Sequence, residues 1–427
     1  MQTTPRSGPQ LAAPPAGRPA RGPVTDAERS LAPDLARGIM LAFIALANSP
    51  LYLHARPRGL RLHIIEDSVV DTITTFLVVT FVDGRAYPMF AALFGYGMVQ
   101  LYQRQVASGG TWPAIQSLLV RRNLWLLVFG LLHALLLFSG DILGAYALAG
   151  LLALALFRMS DTRLLAAAAV FALPLAGLGA TYGLVVSEDQ PSMVAALSTP
   201  DPLDATEIRL TDWIVGTPYS ALVVMTPMLV GIWAGRRGLL EDPARHRRLL
   251  RRVAVVGLTV AVVGGLPLDL RVVRVLPSYS LAADLIVAAL HTLTGVAGGL
   301  GYAALIGLIA ARFAHVRRSA ADPADPQQVT GSRDGAGRNG SRLSQSVVRA
   351  VAACGQRSLS CYLAQSVVFV AVFTPYLGGL GATTGSAGAA VIALATWLAT
   401  VVAADVLRRL GRRGPAETLL RRLVYSK

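Results

Sequence analysis

A histidine and a carboxylate, His133 and Asp141, stand eight positions apart in residues 130–150, an otherwise apolar stretch. Ionisable side chains are costly in lipid, so such a pair reads either as a functional site or as a structural anchor. As chemistry, His133 is a general base oriented by Asp141, the logic of acyl transfer, or the two relay protons in a secondary transporter. As structure, Asp141 caps the helix that follows it and His133 hydrogen-bonds between helices. Arg37 and Asn48 form a second candidate pair, because eleven residues at about 100° each return to nearly the same helix face about 16 Å further along. There Asn48 would hold a carbonyl or a sugar hydroxyl while Arg37 meets an anionic donor. The structural reading is that Arg37 snorkels to lipid phosphates and Asn48 bonds a neighbouring helix. Ser358, Tyr362, Gln365 and Ser366 fall on one polar stripe at helical spacing, serving interhelical contact or lining a substrate cavity. His54 and His63 follow the first apolar run as further candidate bases or as exposed surface residues, and His291 sits in an apolar run without a local partner.

These residues need elements to position them, and composition says which kind. Of 427 residues, 54% are hydrophobic and 15% charged, and apolar runs of roughly 20 residues recur, as bilayer-crossing helices require. The expected fold class is all-α, a polytopic integral membrane helix bundle of about 10 transmembrane helices in a lipid bilayer. The net charge of +15 comes largely from arginines between the apolar runs. They lack the interleaved aromatic or zinc-ligand pattern of nucleic-acid binding and read instead as the topology signal of the cytoplasmic face. Cys354 and Cys361 would lie about 10 Å apart along one helix, too far to pair, and they indicate no metal site.

Residues 1–28, rich in Pro, Gly, Ala and Arg, read as a disordered cytoplasmic tail. No cleavable signal peptide is read, because the first apolar run begins only after Leu31. Residues 29–311 hold the first eight expected spans, at 31–53, 85–103, 119–138, 141–157, 164–186, 213–235, 253–266 and 281–311. The apolar stretch 67–82 is interrupted by Asp71 and several threonines and ends at Asp83-Gly84. It is short for a span, so it reads as a re-entrant or interfacial helix. Leaving it out of the count keeps both termini inside, whereas counting it would put the Arg-rich N-terminus outside. The acidic loop 188–212 is expected to be the largest external feature. Residues 312–349 read as a disordered cytoplasmic loop, 350–411 as the last two transmembrane helices, and 412–427 as a basic cytoplasmic tail.

Several motifs carry a resemblance. Asp34-Leu-Ala-Arg37-Gly38, Pro88-Met-Phe with Leu93-Phe94-Gly95-Tyr96-Gly97, and Gly130-Leu-Leu-His133 with Gly140-Asp141-Ile142-Leu143 and Tyr146 look like the YeiB family of bacterial membrane proteins, a domain of unknown function numbered 418. Met228-Leu-Val-Gly231, Gly355-Gln-Arg-Ser-Leu-Ser-Cys-Tyr362-Leu-Ala-Gln365-Ser366 and Gly414-Pro415-Ala-Glu417 fall in that family's order. The resemblance implies a multi-pass protein of the bacterial plasma membrane. At one remove, the family is similar to a superfamily of transmembrane acyltransferases. Its members move an acyl group from a cytoplasmic acyl-CoA donor to a sugar or lipid acceptor across the membrane. In the polysaccharide-modifying branch the first span carries Arg, ten residues, then His. Here the spacing is kept and Asn48 replaces the His, as in the glucosaminide branch, whose catalytic His lies in the loop just after; His54 and His63 occupy that loop at a different spacing. On this reading Arg37 faces the acyl-CoA donor, His133, Asp141 and Asn48 are catalytic, and Tyr362 and Gln365 contact substrate. A homo-oligomer is a further expectation, and a small-solute permease with a His133/Asp141 proton relay is the alternative.

Overall fold

The computed structural model describes residues 30–184, 193–278, 280–321 and 335–425. The helices are α1 (Leu31–Asn48), α2 (Val69–Phe81), α3 (Ala86–Ala107), α4 (Trp112–Leu136), α5 (Ile142–Leu156), α6 (Asp161–Val170), α7 (Ala172–Thr181) and α8 (Met193–Ser198). They continue as α9 (Pro202–Val223), α10 (Met225–Arg236), α11 (Arg247–Val272), α12 (Leu281–Ala321), α13 (Gly335–Gln356), α14 (Ser358–Phe373), α15 (Ser386–Arg409) and α16 (Pro415–Tyr425). Among the described residues, seven helices are long and apolar enough to cross a membrane, or eight when α9 and α10, bent by 45°, are taken as one span. The chain is therefore an all-helical, multi-pass membrane protein. The expected number of about ten is not reached on length, because α5 and α14 are apolar but only 15 and 16 residues long.

Close helix packing rests on small residues. A side chain at Gly231 would run into the Ala92 carbonyl and one at Gly95 into that of Met228, so α3 and α10 lie backbone to backbone, as small residues permit in membrane bundles. Gly257 against Ala297, Gly264 against Thr294 and Gly265 against His291 pair α11 with α12 in opposite directions. Trp397 Nε1 donates to the Gly38 carbonyl at 2.9 Å and ties α15 to α1.

Several expectations change. Residues 69–81 form a helix of their own, α2, which passes through a four-residue turn into α3, so that Val69–Ala107 is a continuous 39-residue apolar stretch. The turn uses Gly84 at φ 73°, where a Cβ would meet the His291 ring. The acidic stretch 188–212 is not mainly loop, since α9 begins at Pro202. There the Asp201 carboxylate accepts from the Leu203 amide at 2.7 Å, and proline fits the first turn, where no intrahelical donor is needed. Residues 185–192 lie outside the described set, as do the tail 1–28 and residues 322–334 of the expected 312–349 loop. The ends of that stretch are helical, in α12 and α13. Val348, Val351 and Cys354 recur on one face of α13 and pack on the α1 core, a pattern too narrow to register as a span. A break at Arg357 puts Cys354 and Cys361 on different helices, and both approach Thr400.

Candidate functional site

Asp141 begins α5 as its cap, accepting from the Leu143 amide at 3.1 Å and the Gly144 amide at 2.6 Å. Two backbone donors fix the carboxylate, whose Oδ1 then lies 3.0 Å from His133 Nδ1. Both side chains are fully buried. The other ring nitrogen, Nε2, is 2.8 Å from Ser366 Oγ on α14. The Tyr362 ring, one turn earlier on α14, packs on the His133 ring with centroids 4.9 Å apart. Nδ1 and the Asp141 carboxylate are in close contact but outside hydrogen-bond geometry. With its hydrogen on that nitrogen, the ring keeps Nε2 as an acceptor for the Ser366 hydroxyl, which also lies 3.4 Å from the Tyr362 carbonyl. Asp141, His133 and Ser366 thus form an ordered carboxylate, imidazole and hydroxyl series, the arrangement that activates a hydroxyl for attack on an acyl carbon. Gln365 beside them is buried, and both its amide atoms lack a hydrogen-bond partner.

A cavity of about 1240 Å³ leads toward this cluster. Arg37, Arg104 and Arg122 line it, together with the carboxylates of Asp34, Glu241, Asp242 and Glu417; Leu41, Ile44, Phe90, Leu126, Ile142 and Leu143 supply its apolar wall, and Tyr362 lines it too. Arg37 pairs with Asp34 at 3.2 Å, and a side chain at Gly97 would come within 3.1 Å of its guanidinium. Arg122 lies over the Phe94 ring. Arg122 and His133 are eleven apart on α4, so the arginine stands about 16 Å below the histidine on nearly the same face. Neither His133 nor Ser366 is among the lining residues; Tyr362, packed on His133, is. On the same cavity wall, Glu241 accepts from the Tyr96 hydroxyl and from Gln100 Nε2 at 2.8 Å. Burial pushes its carboxyl up to about 7, against a smaller opposing hydrogen bond from its own backbone.

The remaining candidates separate. Asn48 ends α1, half-buried; it caps no helix and does not line the cavity. The shared face expected for Arg37 and Asn48 therefore brings only Arg37 to the cavity. His54 Nε2 is 3.4 Å from the Phe373 carbonyl. Burial lowers its pKa, the Phe373 carbonyl opposes that shift, and Arg58 adds to it. His63 is only 5% exposed and lies 3.7 Å from Asp83, so it is not a surface residue.

His291 does have partners, brought by other elements. Its Nε2 lies 3.2 Å from Asp269 of α11 and also contacts Arg85 and the Val79 carbonyl at the α2–α3 turn. Arg85, 1% exposed, donates to the carbonyls of Val79, Asp83 and Ala261. Arg61 pairs with Asp83 at 2.7 Å, which raises the already high Arg61 pKa despite its burial. The legible signal for this cluster was charge inside apolar runs, at Asp83, Arg85 and Asp269; the missing information was that three helices converge there.

Residues 234–322 and 338–427 match the family described as Protein of unknown function (DUF418), the family the motifs resemble. The matched part contains Tyr362, Gln365, Ser366, Glu241 and Glu417, while Arg37, His133 and Asp141 precede it. An uncharacterized protein of Bacillus subtilis (strain 168), YxaH, is 27% identical over 219 residues, 46% of this chain and 54% of the relative. The chain thus spans about half the length of that curated relative.

Proposed function

For a multi-pass membrane protein whose C-terminal half is of the DUF418 family, we propose that the activity is transfer of an acyl group from an acyl-CoA held in the cavity to an acceptor hydroxyl, with His133 as general base. The observation that carries this reading is one cavity lined by Arg37, Arg104 and Arg122, by an apolar wall and by the tyrosine that packs on His133. Three guanidiniums suit the phosphates of the donor. The apolar wall suits its pantetheine arm and acyl chain, and the volume exceeds the roughly 300–1,000 Å³ of ordinary small-molecule pockets. His133 takes the proton of the attacking hydroxyl on Nε2 while Asp141 stabilises the resulting imidazolium. Tyr362, which lines the cavity, holds the acyl end in place, and Gln365, buried one turn on and outside the lining, would reach it only once the Tyr362 ring moves.

The topology that fits has the arginine end of the bundle in the cytoplasm, with both termini there. This topology takes the shorter apolar helices Ile142–Leu156 and Ser358–Phe373 as crossings beside the eight candidate spans. The second reading, a permease in which His133 and Asp141 relay protons, draws on the same 3.0 Å pair.

The test is binding. Acetyl-CoA and CoA should raise the melting temperature of the purified protein, and Arg37→Ala or Arg122→Ala should weaken that binding about tenfold or more, as expected for loss of a charge-assisted phosphate contact. No binding of either ligand would remove the transferase reading. Substrate-driven proton movement in proteoliposomes, abolished by Asp141→Asn, would put the permease in its place.

A further inference from the structure

We infer that Ser366 is itself the first acyl acceptor, so that the chain carries the acyl group as a serine ester between donor and final acceptor. The inference rests on the transferase reading above and deepens it. Its geometric basis is the series Asp141 Oδ1, His133 Nδ1, His133 Nε2 and Ser366 Oγ, a 3.0 Å contact followed by a 2.8 Å hydrogen bond. A base whose working nitrogen is already occupied by a protein hydroxyl activates that hydroxyl first. An external acceptor would have to displace Ser366 from Nε2, inside a site where the His133 and Asp141 side chains have no solvent exposure.

The position of Ser366 also separates the two substrates. Tyr362 lines the cavity and Ser366 lies one turn further along α14, about 6 Å beyond it. A donor arriving past Arg37 and Arg122 reaches the serine once the Tyr362 ring turns aside from His133. It need not meet the acceptor in the same space. A covalent intermediate splits one crowded three-body transfer into two simpler displacements.

The steps balance without any further reagent. Ser366 Oγ attacks the thioester carbonyl, and its proton passes to His133 Nε2. The tetrahedral centre collapses, the carbon–sulfur bond breaks, and the departing thiolate takes that proton and leaves as free thiol. An acceptor hydroxyl then attacks the serine ester and gives its proton to Nε2. The bond to Oγ breaks, and Oγ recovers the proton.

The experiment uses the full chain in detergent with two probes, acetyl-CoA and a fluorophosphonate that reports activated serines independently of the donor. Acetyl-CoA without acceptor should release thiol in a burst approaching one equivalent per chain. The peptide holding Ser366 should gain one acetyl group, and fluorophosphonate should label the same residue. Ser366→Ala and His133→Gln should each cut labelling to background, while Ser366→Cys, which keeps a nucleophile, should still acylate; melting curves confirm that the variants fold. Acetyl transfer that persists in Ser366→Ala without acyl-protein overturns the proposal and leaves the transferase standing. If acetyl-CoA neither binds nor is cleaved, the transferase reading fails. Fluorophosphonate labelling of Ser366 that depends on His133 then still supports the activated serine, and its absence overturns that as well.

Discussion

Asp141 serves two partners with one carboxylate, the first-turn amides of its own helix and the imidazole of the preceding one. Asp141→Asn keeps an oxygen for the cap but loses control of the His133 tautomer. Activity should therefore fall by about 10³-fold or more while melting changes by less than about 1 kcal/mol. An equal loss of folding and activity would reduce Asp141 to a cap. At the arginine end of the cavity the sensitive residue is Glu241, whose carboxyl burial raises to about 7. A raised carboxyl pKa means that the folded chain holds this proton more tightly than the unfolded one. Its stabilisation is then fully present below the ordinary carboxylate range and is lost as pH rises through about 7. The same ionisation places a negative charge on the wall of the cavity that Arg104 and Arg122 also line. CoA affinity should accordingly weaken between pH 6 and pH 8, and Glu241→Gln should flatten the difference when both are measured by calorimetry. The His133 and Asp141 pair was legible because both lie in one short apolar stretch. Ser366 was visible only as part of a polar stripe, because nothing in a sequence brings positions 133 and 366 together.

The element with the most unusual burden is the α2–α3 turn. It brings Arg85 into contact with His291 and against α11, where Asp269 has neither carboxylate oxygen hydrogen-bonded. Breaking a buried ionic group by removing one partner costs about 3–5 kcal/mol, because the remaining charge cannot be rehydrated. Asp269→Asn should therefore lower the midpoint of thermal aggregation well beyond Asp405→Asn on α15, whose carboxylate pairs with Arg408 and Arg409 at a less buried site. Similar midpoints for the two variants would show that the cluster contributes little to stability. Hydropathy located the apolar runs of this region because length and apolarity are local properties. It did not show that residues 69–81 continue into α3, nor that α9 starts at Pro202, because a turn or a cap is a matter of a few residues whose outcome depends on neighbouring helices. Helix α13 escaped for a related reason: its apolar face is a stripe, and averaging over a window blends that stripe with the polar face.

At the scale of the molecule, the class was the most legible feature, since a composition with 54% hydrophobic residues leaves few alternatives. The sidedness is testable by single cysteines placed in a background with Cys354→Ala and Cys361→Ala. A cysteine at Ser139 should react with an impermeant maleimide added to intact cells, and one at Gly109 or Gly411 only after permeabilisation; the reverse pattern would invert the topology. One consequence follows from which parts of the chain share a wall. Residues from Ser30 to Ile44 and residues Glu417 and Leu420 line the same cavity, and Glu417 accepts from the Leu359 and Ser360 amides at the start of α14. During synthesis the first of these enters the bilayer long before the last leaves the ribosome. The bundle can insert early, but the chamber's wall is complete only when α16 docks, so a nascent or prematurely terminated chain would be membrane-embedded and yet lack part of the surface that would hold a ligand.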